Sequence, residues 1–312
     1  MNNKKLSIVI PMFNEQGNIE LLYNELLTII KQLKYFKNFE IIAVNDGSQD
    51  STLQILKKIA QKDSNFKVIS FTRNFGHEQA TYAGIHNTNG EAVILIDADR
   101  QDPPELILEF EKEFLNGYHI VYGQRSKREN ESIFKKLTSK AFYPIFKFFT
   151  KIDLPQNVGD FCLMSRKAVD FFKRMPEKTL FIRGLVYWSG LPKKAILFIR
   201  KARYSGKSKY NYTKLTIFAL ENIISFSTTP IYAIIFLSIL IIISCFIGVI
   251  TALLMKIFGY VILIGWTSII ISILFLFAVT LFSLGMIGLY IGKIFQEIKN
   301  RPVFLIDEKI NF

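Results

Sequence analysis

Asp97-Ala98-Asp99 places two carboxylates at i and i+2, at the end of the apolar run Ala92-Val-Ile-Leu-Ile. Arg100-Gln101-Asp102-Pro103-Pro104-Glu105 follows directly. Two oxygen donors just past a strand end can hold a divalent cation against a diphosphate. Hard cations prefer oxygen, and Mg2+ commonly shares its shell with substrate phosphates. A cation held there would neutralise charge growing on a departing nucleoside diphosphate. Asp-x-Asp alone also fits an ordinary polar turn, so the argument depends on where the surrounding elements put it.

Those elements read as alternating strands and helices. Leu6-Ser-Ile-Val-Ile-Pro11, Glu40-Ile-Ile-Ala-Val-Asn-Asp46, Phe66-Lys-Val-Ile-Ser-Phe71 and Ala92–Asp97 are short apolar runs. Helical apolar spacing covers Glu15 to Leu33, a helix opens with N-cap chemistry at Asp50-Ser-Thr, and His77 to His86 predicts a third helix. The alternation predicts a mostly parallel α/β sheet covered on both faces. Ligands of such sheets sit at the carboxyl ends of the strands. Pro11, Asp46 and Asp97 all fall there.

Other side chains suit anionic oxygen. Arg125, Arg128, Arg203 and Lys209 can hydrogen-bond phosphate, the arginines through two parallel bonds. Arg128 stands before a basic, aromatic helix, and Arg203 and Lys209 lie in a Gly/Ser-containing loop. A solvated surface charge is the plain alternative for each. Asp160 lies in an otherwise apolar stretch. His77, His86 and His119 share no metal-ligand spacing; His77 follows Arg73-Asn-Phe-Gly and could line a site, whereas His86 and His119 read as structural.

The chain of 312 residues carries a formal charge of +13, which fits nucleic acid or an anionic membrane surface. Hydropathy favours the membrane. Between Pro230 and Gly292 the only charged residue is Lys256. Pro230–Met255 and roughly Ile264–Gly288 each exceed the ~20 apolar residues that cross a bilayer. Lysines and arginines from Arg200 to Lys214 precede this hairpin, and Lys293, Lys299 and Arg301 follow it, so both flanks are expected in the cytoplasm. Ile133–Ile152 predicts an amphipathic helix, with Phe134, Leu137, Phe142, Ile145, Phe148 and Phe149 on one face and lysines on the other. Such a helix can lie in a membrane interface, or dock on a core. Cys162 and Cys245 sit in different regions with no ligand spacing, which fits a reducing compartment. The first residues show no signal-peptide pattern.

Ser7-Ile-Val-Ile-Pro-Met-Phe-Asn-Glu15, Val44-Asn-Asp-Gly-Ser-Gln-Asp-Ser-Thr52, Arg73-Asn-Phe-Gly76 and Asp97–Glu105 resemble, in that order, the motifs of family-2 glycosyltransferases with the GT-A fold. The resemblance is to the polyprenyl-phosphate branch, which includes dolichyl-phosphate mannose synthases and bactoprenol glucosyltransferases. It continues through Gly123-Gln-Arg125, Gly159-Asp-Phe161, Arg203-Tyr-Ser-Gly-Lys-Ser-Lys209 and the two C-terminal spans. It implies a GT-A catalytic domain over residues 1–215 with an interfacial helix at about 131–152. A juxtamembrane helix at 216–229, spans at about 230–255 and 264–288, and a cytoplasmic tail at 293–312 would follow.

The same resemblance implies roles. Pro11, Phe13 and Glu15 would bound a nucleoside pocket, with Val44 and Asp46 across it. A carboxylate at Asp46 suits a base edge, since it only accepts hydrogen bonds. Asp97 and Ala98 would lie at the ribose or base side, and Asp99 and Gln101 at the diphosphate and its Mg2+ or Mn2+. Arg203 and Lys209 would fold over the donor. Arg125, Ser126 and Arg128 would meet a lipid phosphate. Asp99, Asp160 and Arg125 would carry the chemistry. A phosphate monoester has its second pKa near 6 and is already largely the nucleophile at neutral pH, so Asp160 could orient the sugar or acceptor instead of removing a proton. Asn45 stands where the family often has aspartate, and Arg100 where leucine is common.

The expected reaction is an inverting transfer from a nucleotide-sugar, UDP-glucose first and UDP-N-acetylglucosamine second, to undecaprenyl phosphate at a bacterial inner membrane. A homo-oligomer such as a tetramer is implied, and no nucleic-acid partner. A processive polysaccharide synthase would carry Gln-x-x-Arg-Trp, and neither Trp188 nor Trp266 has that context. A non-catalytic membrane scaffold predicts loss of the site carboxylates, and Asp46, Asp97, Asp99 and Asp160 are all present. No Gly-x-Gly-x-x-Gly follows the first strand, which disfavours a dinucleotide enzyme.

Overall fold

The computed structural model describes residues 4–126, 143–155, 157–175, 181–199, 223–224, 226–258 and 265–312. Each apolar run becomes a strand: β1 (Lys5–Met12), β2 (Asn38–Asn45), β3 (Phe66–Phe71) and β4 (Ala92–Leu95). Between them lie α1 (Ile19–Ile30), α2 (Thr52–Lys62) and α3 (His77–His86). α4 (Leu106–Leu115), β5 (Ile120–Arg125), β6 (Val158–Ser165), α5 (Arg166–Arg174), α6 (Ile182–Trp188) and β7 (Lys193–Phe198) continue the unit. The strands form one sheet in the order β7-β5-β6-β4-β1-β2-β3, with β8 (Ile306–Ile310) at its end. β1, β2, β3 and β4 run parallel, β6 runs antiparallel to both β4 and β5, and β7 is parallel to β5.

Strand alternation divides the core. Leu6, Ile8 and Ile10 pack with α1, α2 and α4 on one face. α1 contributes Ile19, Leu22, Leu26, Ile29 and Ile30 at helical spacing, each large side chain stabilising by about 2 kcal/mol on burial. On the other face Gly84 of α3 lies so close that an added Cβ would stand 2.2 Å from Val9 and 3.2 Å from Val44. The helix expected from Glu15 starts only at Ile19, because Glu15 to Asn18 forms a turn closed by the Asn18 N–H on the Glu15 carbonyl at 2.9 Å.

A second unit comprises residues 148–151 and 212–300. Its described helices are α7 (Thr229–Ile257) and α8 (Trp266–Ile298), of 29 and 33 residues. Both are long and apolar enough to cross a membrane, and their apolar windows are unburied. Tyr290 donates to the Ser227 carbonyl at 2.7 Å within this unit.

The expected tail at 293–312 is corrected. α8 runs on to Ile298, and residues 306–310 rejoin the first unit as β8, antiparallel to β3. Phe304 stacks on Phe71 at 4.9 Å, Lys57 pairs with Glu308 at 2.6 Å, and Asn311 donates to the carbonyls of Ala60 and Phe66. The chain therefore leaves the sheet unit and returns to it. Of the expected interfacial helix, residues 143–150 are described and helical. Phe146 is buried there, and Ile145 and Phe148 are exposed. The helix ends at residue 150, short of the expected 152, where Lys151 takes φ +58. Residues 131–142, Arg128, Arg203, Lys209 and residues 216–222 lie outside the described residues.

Candidate active site

The strand ends and the turns after them build the site. Asp46 caps β2, and its N–H bonds the Met12 carbonyl at the end of β1 at 2.9 Å. Gly47 follows with φ +63, and a Cβ there would stand 2.3 Å from the Arg73 backbone. Only glycine accepts both that conformation and that approach. Asp46 is 2% exposed, and its carboxylate accepts from Asn74 Nδ2 at 2.8 Å, Phe75 N at 2.6 Å and Gly76 N at 2.9 Å. These donors fix the Arg73–Gly76 turn and occupy three of the roughly four lone-pair positions of the Asp46 carboxylate. Burial raises its pKa, and the Phe75 and Gly76 N–H groups work against that rise.

Pro11 pairs with Val44 across β1 and β2, and both are buried. Phe13 and Glu15 follow on a turn latched to the loop after β2. Asn14 N donates to Ser48 Oγ at 2.9 Å, Glu15 N to Thr52 Oγ1 at 2.9 Å, and Gln49 N to Asn14 Oδ1 at 2.8 Å. The Glu15 carboxylate accepts from Asn18 Nδ2 at 2.7 Å. Asn45 donates to Ser70 Oγ at 3.0 Å and accepts from Ser48 N at 3.2 Å, so an amide here ties β2 to β3 and closes the turn.

After β4, Asp97 is half-buried, and Ala98 and Asp99 are buried. The Gln101 N–H donates to Asp99 Oδ1 at 3.2 Å, which tightens the turn around that carboxylate. Arg100, at φ +57, is directed to Glu25 of α1, Nε lying 3.4 Å from its carboxylate. Asp102 is 1% exposed and lies 3.6 Å from the Arg125 guanidinium.

Arg125 ends β5 and is tucked against Gly159 of β6, where an added Cβ would stand 2.8 Å from Nη2. It thus joins the Asp97–Glu105 turn to the start of β6 at Gly159 and Asp160. Ser126 is exposed, and its N–H and Oγ both donate to the Phe198 carbonyl, at 2.8 and 3.2 Å.

Asp160 is the most heavily engaged carboxylate. Arg183 of α6 meets it with a two-point fork, Nε to Oδ1 at 2.7 Å and Nη2 to Oδ2 at 3.2 Å. His77, the first residue of α3, lies 3.3 Å from Asp160 Oδ2 and 3.6 Å from Asp97 Oδ1. Burial opposes the charge of Asp160, but Arg183 and His77 outweigh it and hold the carboxyl below its ordinary range. Burial also opposes charge on His77; the bond to Asp160 and the charges of Asp97, Asp160 and Glu78 raise its pKa instead. Asp97 moves the other way. Burial raises it, the charges of Asp160 and Asp99 add to the rise, and His77 and Arg183 only partly offset it. Perturbed groups clustered at a strand edge mark a functional site.

Two donor sets could take a cation, one with a histidine nitrogen and one of oxygens. Donor atoms of His77, Asp97 and Asp160 lie within 4.8 Å of one another, but Arg183 already caps both Asp160 oxygens with positive charge. Asp99 with Gln101 offers hard oxygen donors beside Asp97, whose pKa is raised by burial first and by the charges of Asp160 and Asp99 second. Those donors fit Mg2+ or Mn2+.

The structure therefore brings Asp97, Asp160 and Arg125 toward one edge with the Asp99 turn, and keeps Pro11, Val44 and Asp46 as its neighbouring framework. Sequence reading missed Arg183 and Glu78. Arg183 had one signal, a lone charge inside Leu180-Phe-Ile-Arg-Gly-Leu-Val-Tyr-Trp188. Glu78 had none; its carboxylate accepts from Ile182 N at 3.2 Å, 104 residues away.

Residues 7–172, from β1 through most of α5, match the profile of glycosyl transferase family 2. An uncharacterised glycosyltransferase of Synechocystis sp. is 43% identical, over 97% of this chain and 95% of that protein. One of Bacillus subtilis is 40% identical, over 97% and 93%. A prophage-derived bactoprenol glucosyl transferase of Shigella flexneri is 38% identical, over 97% of both chains. With a profile match over more than half its length and relatives matched almost end to end, this chain belongs to the family-2 glycosyltransferases.

Proposed function

We propose that this glycosyltransferase moves a sugar, with inversion, from a nucleotide-sugar to polyprenyl phosphate, giving a polyprenyl-phosphate sugar. The observation that carries the acceptor is the similarity to a bactoprenol glucosyl transferase over 97% of each chain, through both long apolar helices. It also favours UDP-glucose as donor, with UDP-N-acetylglucosamine second. Undecaprenyl phosphate and a bacterial inner membrane belong to the same similarity, and the basic flanks of the helix pair favour a cytoplasmic sheet unit. A homo-oligomer, such as a tetramer, belongs to the same reading. The alternative of a non-catalytic scaffold loses support because the edge carboxylates are retained and charged neighbours are arranged around them.

In this mechanism a phosphate oxygen of the lipid attacks the anomeric carbon. The new carbon–oxygen bond forms as the bond to the nucleoside diphosphate breaks on the opposite face. The phosphate arrives largely deprotonated, so no base is required. Asp160, fixed by Arg183, orients the sugar or acceptor. Arg125 sets the spacing between the Asp99 turn and Asp160. Asp99 and Gln101 offer the donors for Mg2+ or Mn2+, which when bound supplies positive charge for the leaving diphosphate. Pro11, Phe13, Glu15, Val44 and the turn held by Asp46 bound the nucleoside. Arg128, Arg203 and Lys209 keep their proposed phosphate contacts.

The experiment is a panel of labelled nucleotide-sugars incubated with the purified chain, undecaprenyl phosphate and either cation. An acid-labile glycolipid is expected from one donor, and Asp99→Ala should abolish it. Turnover of no donor, or full activity of the Asp99 variant, would sink the reading.

A further inference from the structure

Asp160 is held from two helices that are far apart in the chain. α3 supplies His77 at 3.3 Å. α6 supplies the Arg183 fork, at 2.7 and 3.2 Å. The start of α6 is itself tied to α3, because Glu78 Oε2 accepts from Ile182 N at 3.2 Å. One turn of α3 thus fixes the backbone beside Arg183 and also touches the carboxylate that Arg183 grips.

A guanidinium fork fixes a carboxylate in plane and in rotation, which a single ammonium cannot do. An ionised carboxylate has about four lone-pair positions, and Arg183 fills one on each oxygen. His77 takes a further one on Oδ2, which leaves a position on Oδ1 at the site edge. The Asp160 side chain is 11% exposed and Arg183 35%, so neither is a deep core pair retained for packing alone.

We propose that Arg183 is a positioning residue for the transfer reaction: its fork sets the orientation of Asp160, with the Glu78–Ile182 bond fixing the helix that carries it. This rests on the role given to Asp160 under the proposed function. The lone arginine in the apolar run of α6 is then a requirement of the site, and Glu78 is its anchor.

The test measures kcat and donor KM of the full-length chain in detergent, with undecaprenyl phosphate and the donor found by the panel. Arg183→Ala should lower kcat by about 100-fold, and Arg183→Lys by about 10-fold, with donor KM within about threefold, as misorientation without loss of binding predicts. In an Asp160→Asn background, adding Arg183→Lys should cost less than about twofold more, because the positioned group is already altered. If Arg183→Ala fails to fold, the lysine variant and the double variant carry the result. Full kcat in a folded Arg183 variant, or losses that multiply independently of Asp160→Asn, would overturn the proposal. Absence of turnover by the unaltered chain would instead sink the proposed function and this role with it.

Discussion

Glu40 and Asp97 lie at opposite ends of two parallel strands, β2 and β4, that flank β1, and carry the same chemical group, yet their surroundings push them in opposite directions. Glu40 is 1% exposed near the amino end of β2. It receives Ser7 Oγ at 2.6 Å, Lys5 Nζ at 2.8 Å, Asn89 N at 2.8 Å and Lys67 Nζ at 3.0 Å. Burial opposes its charge, and these four donors overcome burial and bring the pKa down to about 2. Asp97, at the carboxyl end, is raised by burial and by neighbouring carboxylates. One end of the sheet is electrostatically closed and serves stability. The other retains crowded negative charge, which a cationic or hydrogen-bonding ligand can relieve.

The largest expected effect that would sharpen this contrast is at the closed end. Glu40→Ala leaves the half-buried Lys5 and Lys67, and the Ser7 and Asn89 donors, without their shared anion and should cost about 3 kcal/mol. Thermal unfolding in detergent reads that loss, while turnover per folded molecule stays near that of the unaltered chain. The same pair gives a pH signature. Because the folded pKa lies below the ordinary 4.5, the contribution is complete above that value. It is lost as pH falls from 4.5 toward 2.

A smaller effect is expected at the open end. Gly159→Ala would set a methyl 2.8 Å from Arg125 Nη2. The arginine is the far end of a flexible side chain and can shift, so the unfolding temperature should change little. Turnover should fall about 10-fold, through displacement of Arg125 and Asp160. Unchanged turnover would mean that the close packing of Arg125 on Gly159 has no functional meaning.

The smallest effect concerns Arg100, which is directed to Glu25 and not toward Asp97. Arg100→Leu should lower stability by less than about 1 kcal/mol, as a part-exposed pair does. The ratio of kcat/KM for UDP-glucose and UDP-N-acetylglucosamine should not move. A shift in that ratio would bring Arg100 into the donor site.

Much of this was legible in the sequence because the strands are apolar runs with abrupt polar ends. That pattern put Asp46 and Asp97 at the ligand edge without any knowledge of contacts. It could not show that Asp46 faces the Asn74–Gly76 donors, since a carboxylate at a strand end looks the same whether it meets ligand or backbone. Arg183 and Glu78 escaped for a related reason: their partners are 23 and 104 positions away, and no local period marks them. β8 escaped because Ile306-Asp-Glu-Lys-Ile310 is short and polar, and only the open edge of β3 gives it a partner.

The contrast between the two ends, and the chemistry assigned to the open one, meet in one measurement. The rate of acid-labile glycolipid formation per folded molecule is determined for Asp99→Ala and Glu40→Ala alongside their unfolding temperatures. The account predicts that Asp99→Ala loses the glycolipid and keeps its unfolding temperature, while Glu40→Ala does the reverse. Glycolipid made at the full rate by Asp99→Ala would contradict it.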